Sequence, residues 1–316
     1  MPDLLLDHIE DEPQTPHEIV DDLISQGYDR LYCLYSGGGD SGCITHFVKK
    51  NYPKYFAGTL HADTGMSLQM TRDFVTSYCA ENRWGLDITK APPRKNYNGP
   101  YKNKYFTFEE FVLREGFPGP HNHGQIMSWL KYFGWRHYVK QRLSEEPGIA
   151  LLGGTRKKES LARMNFREYT KMAAYNDSRL MFCMPFLYKS GKQTLEYFVT
   201  NGLHKSPSYK YGFDISGDCL CGSYSKFWEP ELIRQCDPGL YGEIRRLEKL
   251  VLEKGTPEAK QHPKWGKSKP IARLKKKKKD PAQQVWKTVE QGRMMSAIIC
   301  GSDSCDVDPF LGDEPV

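Results

Sequence analysis

The stretch that most constrains this chain is Arg30–Ser41. Leu31 to Tyr35 is an apolar and aromatic run of strand length. Ser36-Gly37-Gly38-Gly39-Asp40-Ser41 follows as a glycine-rich turn, and Gly42 to Lys50 reads as a helix with Ile44, Phe47 and Val48 on one face. Glycines let the backbone turn tightly and approach a ligand closely. A turn entering a helix in this way presents backbone N–H groups at the positive end of the helix dipole, which suits a phosphate. Three glycines alone would indicate only a turn. The Ser36 and Ser41 hydroxyls and the Asp40 carboxylate add the polar groups that a ligand site needs.

The neighbouring segments predict the sheet around this turn. Thr15-Pro16-His17-Glu18 is a capping box that opens a helix, ended near Gly27. A second strand, Tyr55 to His61, runs into Ala62-Asp63-Thr64-Gly65, and Ser67 is expected to cap a helix through about Glu81. Two strand–loop–helix units in succession predict an α/β fold, a doubly wound parallel sheet with helices on both faces and ligands at the carboxyl ends of the strands. His61, Asp63, Thr64 and Gly65 then fall beside the first loop.

Further along, Leu86 to Lys90 is a third strand candidate and Thr107-Phe108-Glu109-Glu110 a second capping box. A helix from about Gln125 to Leu143 carries Trp129, Tyr132, Phe133, Trp135 and Tyr138, read as core. Gly148 to Leu152 is a strand that delivers Gly153-Gly154-Thr155-Arg156-Lys157-Lys158-Glu159-Ser160-Leu161-Ala162-Arg163 to the same rim. The two glycines permit close backbone approach, and Arg156 and Arg163 suit bidentate phosphate contact. The alternative is a solvated, charged helix start. Thr194 is expected to begin a helix to Asn201, and Asp237-Pro238 opens a helical stretch ending near Gly255.

With 316 residues, 39% of them hydrophobic, the chain has enough apolar material for a large core. No apolar run approaches membrane-spanning length, and Met1 to Val20 has neither a basic start nor an apolar core, so no signal peptide or anchor is expected. An odd count of nine cysteines points to a reducing compartment, with cytoplasm as the default. The net charge of +6 conceals an uneven distribution, because Lys254 to Arg293 holds thirteen Lys or Arg against three Asp or Glu. The organisation expected is an acidic leader and helix over 1–27, a nucleotide-binding α/β domain over 28–215, and a helical C-terminal region over 216–316. That last region holds a cysteine site and a basic loop at 256–280.

Cys33, Cys43, Cys79 and Cys183 lie singly in apolar segments and read as buried thiols. Cys219-Leu220-Cys221 and Cys300-Gly301-Ser302-Asp303-Ser304-Cys305 are two close pairs in turn-rich surroundings, with Cys236 between them. Four thiolates from two loops would make a tetrahedral sulfur site for zinc or an iron–sulfur cluster. Free thiols, or a redox nucleophile at Cys300 or Cys305, are the alternatives.

The first turn resembles the Ser-Gly-Gly-x-Asp-Ser loop of the PP-loop enzymes, with Gly39 at the variable position. Other motifs extend the likeness in order: His61 to Gly65, Gly116-Phe117-Pro118-Gly119-Pro120, Gly154 to Arg163, Pro185-Phe186-Leu187, Asn201-Gly202-Leu203, Pro207-Ser208-Tyr209, and Ser216-Gly217-Asp218-Cys219-Leu220-Cys221-Gly222. Over roughly residues 28–250 the chain resembles the phosphoadenosine-phosphosulfate reductase family within the adenine nucleotide α-hydrolase fold. Cys300 to Cys305 resembles the trailing cysteine pair of its cysteine-bearing, phage- and archaeon-like branch. The resemblance implies that Ser36, Gly37, Gly38, Gly39, Asp40 and Ser41 bind phosphates and that His61, Asp63, Thr64 and Gly65 line adenine and ribose. Gly154, Arg156, Glu159 and Arg163 would complete the phosphate end. Two departures stand out: the Glu-Cys-Gly-Leu-His tail of the reductases is missing, as is the adjacent cysteine pair of the cluster-containing ones.

Three functions are weighed. In the first, ATP and Mg²⁺ bind at the loop, and Asp40, Ser41, Arg156 and Arg163 serve an ATP pyrophosphatase-type adenylation. It would be coupled to sulfur transfer, possibly onto nucleic acid, with a cluster or zinc on Cys219, Cys221, Cys300 and Cys305. The second is reduction of phosphoadenosine phosphosulfate to sulfite by Cys300 or Cys305. The third is a nucleic-acid-binding protein that uses the fold as a scaffold and Lys254–Arg293 as its contact. The sulfur donor or thiol reductant is not named by the residues, and no membrane partner is expected.

Overall fold

The computed structural model describes residues 14–92, 106–120, 122–142, 148–157, 169–171 and 180–267. Helix α1 (Pro16–Ser25) starts at Thr15, whose hydroxyl accepts from the Glu18 amide while the Glu18 carboxylate accepts from the Thr15 amide. The capping box expected there is therefore present. The chain continues through β1 (Arg30–Leu34), α2 (Gly39–Asn51), β2 (Phe56–Ala62), α3 (Gln69–Glu81) and β3 (Leu86–Thr89). After α4 (Phe108–Glu115) come α5 (His123–Ile126), a π-helical turn at Met127–Tyr132, and α6 (Phe133–Arg142). Then follow β4 (Ile149–Leu152), β5 (Tyr169–Lys171), β6 (Leu180–Cys183), α7 (Gly191–Thr200), α8 (Glu229–Cys236) and α9 (Pro238–Lys254).

Among the described residues six strands form one sheet in the order β3-β2-β1-β4-β6-β5. Five of them are parallel, as the two strand–loop–helix units predict, and β5 pairs antiparallel with β6 at the edge. Side chains alternate across β1. Leu31 and Cys33 pack with Ile19, Val20 and Leu23 of α1 and Ile44 and Phe47 of α2, whereas Tyr32 and Leu34 pack with Tyr132, Trp135 and Val139. Helices thus cover both faces, and the aromatic stripe at 129–138 belongs largely to the core. A further cluster joins Met66, Leu68, Phe111 and Phe117 to Leu220, Ile244, Leu247 and Trp265, so α9 and the segment before α8 pack beside the sheet.

Two helix starts differ from expectation. Ser67 does not cap α3: its hydroxyl donates to the Asp218 carbonyl, and the Gln69 amide donates instead to the Asp237 carboxylate at 2.7 Å. Thr194 lies inside α7, which begins four residues earlier at a Ser190–Gln193 capping box. No described helix is long and apolar enough to cross a membrane. The 256–280 segment is described to Lys267 only, and a final helix, which Asp280 as cap and Pro281 in its first turn predict, lies outside the described residues.

Candidate active site

Strand order reverses between β1 and β4, so the chain leaves the carboxyl ends of these two strands toward opposite sides and opens a crevice between them. Ser36 to Gly38 lie on one side of it and Gly153 to Arg156 on the other. Gly37 has φ of +82°, the left-handed region where a side chain is strained, and a Cβ there would stand 3.1 Å from Val75. The turn is tied by its own hydroxyls. Ser41 Oγ accepts from the Ser36 amide at 3.3 Å and donates to the Gly38 carbonyl at 3.1 Å, and the two serine hydroxyls are 3.1 Å apart. No side chain caps the first turn of α2, leaving its N-terminus to face the crevice.

The β4 end closes directly on this turn. A Cβ on Gly154 would lie 2.7 Å from the Asp40 carbonyl carbon and 2.9 Å from the Ser41 amide nitrogen, so only glycine fits. Two residues on, Arg156 Nη2 donates to Asp40 Oδ2 at 3.0 Å, with both side chains largely buried. Gly154 and Arg156 are thus the described residues of this rim that meet the first turn. Lys158, Glu159 and Arg163 lie outside the described residues.

At the β2 tip, His61 is buried, and its Nδ1–H donates to the Tyr35 carbonyl at 2.9 Å. Its Nε2 has no hydrogen-bond partner among the described residues. Burial lowers the affinity of this ring for a proton, with the nearby Asp218 carboxylate opposing. Asp63 accepts from the Gly65 amide at 2.9 Å and pairs with Lys90 at 3.1 Å. Burial alone would raise its pKa, but these bonds outweigh it and hold the carboxyl below the usual range. Thr64 is buried and donates to the Asp218 carbonyl.

Sequence reasoning gave no role to the Lys131–Asp218 pair. Lys131 Nζ meets Asp218 Oδ2 at 2.5 Å, each side chain less than a tenth exposed, and Ser216 Oγ donates to the other carboxylate oxygen at 3.0 Å. Burial would push Asp218 up, but the Lys131 ammonium outweighs it and keeps the carboxyl below its ordinary value. The available signal was a lysine inside an aromatic core stripe, since Lys131 stands between Leu130 and Tyr132.

Cys219 and Cys221 line one cavity of about 630 Å³ with His123, Lys205, Tyr209 and Trp265. Cys221 Sγ lies 3.8 Å from His123 Nδ1 and 3.2 Å from Ser223 Oγ. A hydrogen bond from Cys221, helped by the Lys131 charge, pulls the Cys219 thiol below its ordinary value against the cost of burial. Cys221 is pushed up by its partner and by burial. Cys33, Cys43, Cys79 and Cys183 are buried, as expected, and none of the described cysteines is in a disulfide. No three His, Cys, Asp or Glu among the described residues come together as a metal-holding group, and Cys300 and Cys305 lie outside them.

The phosphoadenosine phosphosulfate reductase domain matches residues 30–224 of this chain. No curated protein matches it in sequence. Among solved structures it is similar to phosphoadenylyl-sulfate reductase from Candida auris in a phosphate complex. The identity is 18% and the TM-score 0.43, over 63% of this chain and 86% of that one. The FMN adenylyltransferase of Candida glabrata, with FMN and an ATP analogue, is 12% identical at TM-score 0.37, covering 59% and 54%. The U34-tRNA thiolase NcsA of Methanococcus maripaludis, with its [4Fe-4S] cluster, is 13% identical at TM-score 0.34, covering 75% and 80%.

Proposed function

Because this chain belongs to the phosphoadenosine phosphosulfate reductase domain family, we propose that it is an adenine-nucleotide enzyme performing an ATP pyrophosphatase-type adenylation coupled to sulfur transfer. The observation that carries this reading is the junction of two motifs 116 residues apart, where Gly154 lies against the Asp40 backbone and Arg156 bonds the Asp40 carboxylate.

In this reading Ser36 to Ser41 cradle the β- and γ-phosphates through backbone N–H groups and hydroxyls. Arg156, with Arg163, spreads the charge that grows as the α–β bond breaks. An acceptor oxygen attacks the α-phosphorus, pyrophosphate leaves, and the sulfur of a donor then displaces AMP from the adenylated acceptor. Asp63 and Gly65 at the β2 tip face the ribose and adenine, with His61 and Thr64 buried behind them. Asp40, which Arg156 bonds in this structure, would be the carboxylate to hold Mg²⁺, which would supply charge neutralisation at the phosphates. Cys219 and Cys221 fit two positions of a sulfur-ligated zinc or iron–sulfur site that Cys300 and Cys305 would complete. A cytoplasmic location fits described cysteines that form no disulfide.

A second reading, reduction of a sulfonucleotide to sulfite, is favoured by the acidic Cys219 thiol in the cavity. The two separate in one experiment. Protein prepared without oxygen is incubated with Mg²⁺ and either ATP or phosphoadenosine phosphosulfate, and pyrophosphate, AMP and sulfite are measured. Pyrophosphate and AMP from ATP, abolished by Asp40→Ala, support the first reading. Sulfite release supports the second, and binding of neither nucleotide sinks both.

A further inference from the structure

The face beside the thiol cavity carries aromatic rings that a folded chain ordinarily hides. Phe227 is 92% exposed, Trp228 is 40% exposed and packs edge-on against it at 4.9 Å, and Tyr224 is 37% exposed. These residues form a ridge between two hollows. Tyr224 and Lys226 line the 630 Å³ cavity, Phe227 lines a second cavity of about 340 Å³, and Trp265 lines both.

Cations are interleaved with the rings. Lys205 Nζ sits 3.9 Å from the Tyr209 ring centroid, Lys226 lies over Trp228 at 5.2 Å and Arg245 over Tyr241 at 4.8 Å. The acidic groups on this face are already engaged. Asp214 pairs with Lys226, Glu248 takes Arg245 and Lys264, and Glu229 accepts from the Lys226 amide. Lys267 lines the second cavity.

Exposed flat rings with cations between them match an unpaired nucleic-acid strand, whose bases offer π-faces and whose backbone offers phosphates. A duplex hides its base faces, and Lys205 and Lys267 have no ion-pair partner among the described residues, which leaves their charges for a strand's phosphates. We propose that this face binds single-stranded nucleic acid, with bases stacked on Phe227, Trp228 and Tyr224, phosphates on Lys205 and Lys267, and one base turned into the cavity that holds Cys219. The inference names the acceptor class of the site proposed above and rests on that reading for its chemistry, while binding itself needs no ATP.

The test uses the full chain without nucleotide and a fluorescein-labelled 15-nucleotide single strand, as RNA and as DNA, against a blunt duplex of the same length. Anisotropy is read at several salt concentrations. The single strands are expected to bind more tightly than the duplex. Phe227→Ala with Trp228→Ala is expected to weaken binding about tenfold to a hundredfold with the salt slope unchanged, because stacking releases no counterions. Lys205→Ala with Lys267→Ala is expected to flatten the slope by roughly 1.4, about 0.7 for each phosphate contact on a single strand. Phe227→Ala alone, at a nearly fully exposed position, guards against a folding artefact. Aromatic variants within twofold of the parent, equal binding of duplex and single strand, or self-association lost in the aromatic variants without a change in strand binding would each overturn the proposal. Strand binding without pyrophosphate release would sink the ATP reading and leave this one standing. The reverse result would do the opposite.

Discussion

Lys131→Met removes the positive half of the buried pair with Asp218 and keeps an unbranched side chain one atom shorter. Breaking such a pair costs about 3–5 kcal/mol because the remaining charge has no water to return to. Here the cost has a ceiling. The stranded carboxyl can take up a proton, which costs about 1.4 kcal/mol for each pH unit above its ordinary value of about 3.9. Protonation therefore limits the charge-burial part of the loss to about 4 kcal/mol at pH 7 and about 1.5 kcal/mol at pH 5, and the stabilisation that the pair gives the parent is lost in addition. The Ser216 hydroxyl at 3.0 Å serves either protonation state and changes little. In the parent, the Asp218 pKa is lowered, so its contribution is present above about pH 3.9 and disappears as pH falls through the folded value. In the variant the folded pKa is raised instead, so the folded state binds the extra proton and stability falls with rising pH above about 3.9. Urea unfolding of parent and variant from pH 5 to 7.5 should show a gap that widens by about 1.4 kcal/mol per unit, with a melting point lowered by roughly 6–16 °C at pH 7. Adding Asp218→Asn to Lys131→Met should recover much of the loss and remove the pH dependence. A variant within 1 kcal/mol of the parent at pH 7, or a gap indifferent to pH, would refute the reasoning.

Three further outcomes follow from the same geometry. Gly154→Ala places a Cβ 2.7 Å from the Asp40 carbonyl carbon, with backbone on both sides, and should lower ATP affinity roughly tenfold or more while the protein stays folded. Calorimetry giving the parent's Kd would refute that. Carbamidomethylation of Cys219 by iodoacetamide should rise with pH through a midpoint below that of a free thiol and then level off, whereas Cys33 and Cys79, whose burial raises them, stay unlabelled until unfolding. A peptide-mapped midpoint near that of a free thiol would count against the Cys219 environment described here. Gly222→Ala combines φ of +93° with a Cβ only 2.9 Å from the Gly266 amide nitrogen, and should cost about 1–3 kcal/mol in thermal unfolding. An unchanged melting point would show that the Trp265 segment yields freely.

How much of this was legible in the sequence depends on how local each cause is. The β1 turn and α2, the Thr15–Glu18 capping box and the Asp237-Pro238 start of α9 depend on residues within a few positions of one another, and each was read correctly. Ser67 was misread because a serine before a helix ordinarily caps it. Here the α3 cap comes from Asp237, 168 residues away, and Ser67 is committed to the Asp218 carbonyl. Thr194 was misread for a local reason, since Ser190 with Gln193 offers the better capping box just upstream. β5 spans three residues, too few for a periodic signal, and only its pairing with β6 defines it.

The segment from Ser206 to Ser223 is the plainest case of tertiary cause. In sequence it is a run rich in Gly, Ser and Tyr whose polar residues would suit any surface loop. In the structure most of those polar atoms are spent on other loops. The Ser206 amide donates to the Gly37 carbonyl at 2.8 Å, its hydroxyl lies 2.8 Å from Thr71 Oγ1, and Thr71 donates to the Ser216 carbonyl. Leu220 N–H reaches the Met66 carbonyl at 2.7 Å, while Thr64 and Ser67 both donate to the Asp218 carbonyl. Beyond a single 3-10 turn at Pro207–Tyr211 this backbone has no described sheet or helix of its own, so its buried polar groups need other partners, and these hydroxyls and carbonyls supply them. The same bonds join the Ser36–Ser41 turn at one end to the Cys219 cavity at the other. Small polar residues are therefore required along this segment for a structural reason, and the shape of both ends depends on their being there.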